Sequence, residues 1–72
     1  MRVAVVKAAH DNEAGVRYVE HSDVEGLHVE GENFEAFCRN VASAVGDLLE
    51  GEGGEAHIEI IAHASIRARV AA

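Results

Sequence analysis

The sequence predicts an α+β domain in the order β-β-β-α-β, an antiparallel sheet with one amphipathic helix packed on one face. Three observations carry that expectation. Residues 34–49 place apolar side chains three and four apart, the period of a helix face. Residues 56–66 alternate instead, with Ala56, Ile58, Ile60, Ala62, Ala64 and Ile66 on one side, the period of a strand. Ahead of both, two clusters of turn-forming residues cut the first third of the chain into short β-prone runs.

Residues 2–9, RVAVVKAA, form the first expected strand. Lys7 marks the odd-numbered side as the wetter one, which points Ala4, Val6 and Ala8 at the core. Asp11-Asn12-Glu13-Ala14-Gly15 then makes a turn, since Asp and Asn side chains bond their own backbone and Gly15 tolerates positive φ. The second strand covers residues 16–21 and pairs with the first as a hairpin. Ser22 to Gly26 is the next turn, and Leu27 to Glu30 a short third strand with Leu27 and Val29 inward. Asn33 is a good helix N-cap, with Glu35 at the positive end of the helix dipole. The apolar stripe of that helix is Phe34, Phe37, Cys38, Val41, Ala42, Val45, Leu48 and Leu49, and Gly51 is its expected C′ stop. After a glycine-rich loop the last strand runs from Ala56 to about residue 66. The domain thus spans residues 1–66, and 67–72 form a mildly basic tail.

A chain of 72 residues buries only about 60% of the surface of its unfolded form, so its core is thin. Cys38 is its one cysteine, which excludes an internal disulfide and fits a reducing compartment. Cys38 lies on the helix stripe and reads as a small buried hydrophobe rather than a nucleophile. With no secretory signal and no apolar run near membrane-spanning length, the expected location is the cytoplasm. A net charge of −7 argues against direct nucleic-acid binding and permits a basic protein partner.

From Ala4 to about Glu50 the chain resembles the HicB-like antitoxin superfamily. The resemblance rests on Asp11, Glu13-Ala14-Gly15-Val16, Ser22-Asp23-Val24-Glu25-Gly26-Leu27, and Glu30 through Phe37 leading into Val41, Val45 and Leu48. Where the family commonly has aromatics around the first turn, this chain has His10 and Arg17. Where proline commonly precedes the Gly-Leu step, it has Glu25. The resemblance implies a partly degraded ribonuclease-H-like fold without its catalytic carboxylates. It further implies neutralisation of a small basic ribonuclease toxin of double-stranded-RNA-binding fold. Many members also carry a C-terminal DNA-binding domain, for which the tail after the last strand leaves no room, so direct DNA binding is not expected.

Two surfaces are candidates for partners. Glu20, Asp23, Glu25, Glu30, Glu32 and Glu35 gather in sequence around the second turn and the helix start, and could dock a basic protein. A solvated acidic rim is the simpler explanation of the same residues. Val3, Val5 and Ile61 fall on the sheet face away from the helix, where apolar side chains imply a homodimer or another protein partner. Five histidines are many for this length, and His57 and His63 share a strand face with Glu59. Same-face neighbours on a strand stand about 7 Å apart, which is wide for two ligands of one ion, and zinc usually wants three or four converging groups. No metal or cofactor is expected. No phosphate loop, nucleophile elbow or paired acid-base motif is present, so the domain reads as non-catalytic. A stand-alone structural or regulatory domain without a toxin is the second reading, and a histidine-based metal-binding domain the third.

Overall fold

The computed structural model describes residues 2–71 and has the element order expected: β1 (Arg2–Asp11), β2 (Val16–Ser22), β3 (Glu30–Gly31), α1 (Phe34–Leu48) and β4 (Ala56–Ala62). The four strands make one sheet in the order β3-β2-β1-β4. β1 and β2 pair antiparallel, as do β2 and β3, but β4 runs parallel to β1. The sheet is therefore mixed, not antiparallel. The cause is the helix. A helix laid across a sheet face returns the chain to the end where the preceding strand began, so the strand after it runs the same way as the strand before it. β3 points along β1, and α1 carries the chain back over the sheet to start β4 in that direction.

Even-numbered residues of β1 face the helix. Ala4, Val6 and Ala8 are buried against Phe37, Val41 and Val45 of α1, and Val24 and Leu27 close the end of this core. Alanine at two of the three β1 positions keeps the sheet surface low under the helix. The second turn does more than reverse the chain. Val5 N–H donates to Asp23 Oδ1 at 3.0 Å, and Asp23 N–H donates to Val5 O at 3.2 Å. Val24 N–H donates to Ser22 Oγ at 2.9 Å. Together these bonds turn Val24 under the helix. Its position inside a turn cluster gave no periodic signal that it is core.

α1 starts as expected: Asn33 is its N-cap, and Asn33 Oδ1 accepts from Ala36 N–H at 2.8 Å. The stripe, however, is narrower than its spacing suggests. Phe37, Val41 and Val45 are buried and Cys38 and Leu49 half-buried, whereas Phe34, Ala42 and Leu48 are exposed. A helix over a sheet this narrow touches it along one line, and the flanking apolar positions stay wet. Gly51, the expected C′ residue, has its left-handed φ of 95° one place later, because the cap is Leu49.

Two strand boundaries differ from expectation. β3 is only Glu30–Gly31, with Leu27 and Val29 packing inward from the preceding irregular segment. β4 stops at Ala62, although the side-chain alternation continues. Its last ladder bond is His63 N–H to Ala8 O at 3.0 Å. The guanidinium of Arg17 then donates to His63 O at 3.4 Å, and the chain leaves β1. Alternation describes side chains only, and a strand also needs a neighbouring backbone.

Candidate functional site

With one helix on one face, the opposite face of the sheet is open. Pairing fixes what lies there. Val3 stands beside His57, Val5 beside Glu59 and Lys7 beside Ile61, so these six side chains share the open face. Ala9 lies beside Tyr18 across the β1–β2 hairpin, and Tyr18 beside Glu30. Val3 is 55% exposed and Ile61 53% exposed, with Val5 half-buried between them. The three residues assigned to a partner surface thus share one face and form an apolar strip bordered by His57, Glu59 and Lys7. His57 Nε2 and Glu59 Oε1 are 3.6 Å apart on that border.

The six acidic candidates do not form one patch. Glu30 pairs with Tyr18 near the start of β2, and Glu32 and Glu35 follow it to the first turn of α1. Asp23 bonds Val5 past the far end of β2, with Glu25 beyond it. Asp23 lies five residue steps along the chain from Tyr18, about 16 Å. Glu20 lies between, at an irregularity in the hairpin. Lys7 pairs with His21 and Ala8 with Val19, so Glu20 is the extra residue of a β-bulge. All six are exposed, and two have structural partners. Asp23 holds the turn, and Glu35 pairs with Arg39 at 2.9 Å across one helical turn.

Among the described residues, no three His, Cys, Asp or Glu side chains converge as metal ligands. Cys38 is a free thiol, half-buried on the helix. A cleft of about 320 Å³ lies between the end of α1 and the glycine loop, where Arg2 faces Glu52 at 3.5 Å. Its ionisable lining is Arg2, Glu50, Glu52 and Glu55, without histidine or cysteine. Near the other end of the sheet, the Arg17 guanidinium sits 5.7 Å over the Phe34 ring, which shields one side of that exposed aromatic.

Fold and surface together define a small α+β domain built on a one-sided helix and sheet. The chain belongs to the family described as Domain of unknown function (DUF1902), whose model matches residues 3–72. No curated protein and no solved structure matches it. No helix among the described residues is long and apolar enough to cross a membrane.

Proposed function

We propose that this chain is a non-catalytic protein-binding domain of HicB-like antitoxin type, whose partner is a small basic ribonuclease toxin. One observation carries the reading. The open sheet face keeps Val3 and Ile61 more than half exposed beside Val5, in a chain whose helix already covers the other face. An apolar centre with a polar border is the anatomy of a protein interface. The charge supports a basic occupant, since the chain carries thirteen acidic residues against six basic ones. Glu59 stands beside Val5 across the β1–β4 ladder, and Asp23 bonds the Val5 backbone from the second turn.

The strip could instead take a second copy, as Val3, Val5 and Ile61 suggest by themselves. Face-to-face stacking of two copies would bring like net charge together. The basic partner is therefore the better occupant. The segments that carry the family resemblance also have local physical roles here: Asp11 and Gly15 close the hairpin turn, and Ser22-Asp23 anchors Val24. A free, unpaired Cys38 supports a reducing, cytoplasmic setting.

The test is co-purification with the product of the adjacent reading frame, which this reading predicts to be a small basic protein. A stoichiometric complex that Ile61→Glu and Val3→Glu abolish supports the reading. A complex indifferent to both substitutions places the interface elsewhere. The alternative, a stand-alone regulatory domain, predicts no complex and no basic neighbour.

A further inference from the structure

β4 is the edge of the sheet, and its outer side has no neighbour among the described residues. Beyond it, residues 63–71 are exposed and without regular structure, with Ile66 93% and Val70 87% exposed. An unpaired edge next to an unpaired apolar segment is a template for strand addition. We propose that two copies of this chain pair antiparallel along residues 56–70, each C-terminal segment adding a strand to the other's β4.

Backbone direction fits this first. Arg2 N–H donates to Glu55 O and His63 N–H donates to Ala8 O. Odd-numbered residues of β4 therefore turn their backbone groups to β1. Even-numbered ones turn theirs outward, in register with Ala64, Ile66, Ala68 and Val70 if the strand continues. An antiparallel pair exchanges bonds between residues of equal parity here, and a two-fold axis guarantees that parity.

Side chains then choose the register. With the axis at His63, Ile60 lies opposite Ile66 of the other copy and Ile58 opposite its Ala68. Both pairs are on the helix face, where Ile58 and Ile60 are only half-covered in one copy. On the open face Glu59 lies opposite the other copy's Arg67. Every contact occurs twice. Slipping by two residues one way puts Glu59 opposite Ser65 and loses the ion pair, while slipping the other way keeps an ion pair, Glu59 with Arg69, but parts Ile60 from Ile66 and sets Ile61 opposite Arg67.

Charge agrees. Arg67 and Arg69 are two of the chain's six basic residues, and all thirteen acidic ones precede them. The C-terminal segment is thus a basic strand on an acidic body. The segment cannot satisfy its own β4 by folding back. From His63 to Ala72 there is no Gly, Pro, Asn or Asp to make a hairpin turn, and His63 is held toward β1 and Arg17. A second copy supplies the strand without any turn. Both helices then lie on one side of an eight-stranded sheet and both open faces on the other.

Disulfide trapping tests this at the axis, where facing residues form a non-hydrogen-bonded pair with Cβ atoms about 5 Å apart. In a Cys38→Ala background, His63→Cys should become a covalent dimer under mild oxidation, while Glu25→Cys should not. In sedimentation without oxidant, Arg67→Glu should weaken the dimer roughly tenfold, and adding Glu59→Arg should restore it. A dimer that neither crosslinks at 63 nor responds to the charge changes overturns the edge pairing. A monomer at about 100 µM overturns it too, since an interface of this kind should hold at that concentration. Neither result bears on the basic partner, which is tested by its own complex.

Discussion

Gly31 and Gly46 give a paired prediction in which the same substitution has opposite signs. Gly31 ends β3 where the strand meets the first turn of α1. A Cβ built there would lie 2.4 Å from Phe37 N, 2.7 Å from Phe37 Cα and 3.0 Å from the carbonyl carbon of Ala36. Ordinary contact begins at 3.4 Å, so the new methyl is a full ångström too close, and to backbone rather than a flexible side chain. Gly31→Ala must push β3 off the helix or shift the helix start, which also carries the Asn33 cap. Overpacking of this kind costs about 1–3 kcal/mol, and the lack of a yielding neighbour sets the expectation near the top of that range. A domain of this length is stable by about 4–11 kcal/mol, so the loss is a large share of the total. In thermal unfolding it should lower the midpoint by about 10–20 °C. Gly46, exposed in the last turn of α1, has nothing within 4 Å of its hypothetical Cβ. Gly46→Ala should instead stabilise by about 0.4–1 kcal/mol, through helix propensity and a less free unfolded chain. Urea unfolding followed by circular dichroism measures both. A Gly31→Ala change within about 0.5 kcal/mol of the parent, the range of unremarkable surface substitutions, would refute the close approach of β3 and α1.

Three other substitutions probe the same frame. Phe37→Ala removes the largest fully buried side chain and should cost about 3–5 kcal/mol, whereas Leu48→Ala, at a position 45% exposed, should cost under about 1 kcal/mol. Equal losses in urea unfolding would contradict the narrow helix seam. Asn33→Ala should cost about 1 kcal/mol, with Asn33→Ser recovering most of it, because Ala36 N–H loses its acceptor. Asp23→Ala removes the acceptor of Val5 N–H and frees the turn that buries Val24. It should cost about 1–2 kcal/mol and speed amide exchange at Val5, which Asp23→Asn should largely spare.

Much of the fold was legible because local physics wrote it. The Asp11–Gly15 turn, the Asn33 cap and the even-numbered core side of β1 all follow from neighbouring residues. What was not legible depended on distant backbone. Whether β4 pairs parallel or antiparallel is set by where α1 delivers the chain, which no periodicity encodes. Its end at Ala62 is set by where β1 stops offering a partner, although the alternation runs on to Val70. Val24 was hidden because a turn has no period. Phe34 and Leu48 fell on the helical stripe and yet stay wet, because the sheet under α1 is narrow. Of the candidate site, Val3, Val5 and Ile61 were found by strand parity alone and do share a face. The six acids were grouped by sequence proximity, and β2 then separates them into two sets.

Native mass spectrometry of this chain with the product of the adjacent reading frame tests the central claim, a small basic partner, most directly. The account predicts a defined complex that survives at low micromolar concentration, weakens with salt and is lost with Ile61→Glu. Two separate species under the same conditions, with both proteins folded, would contradict it.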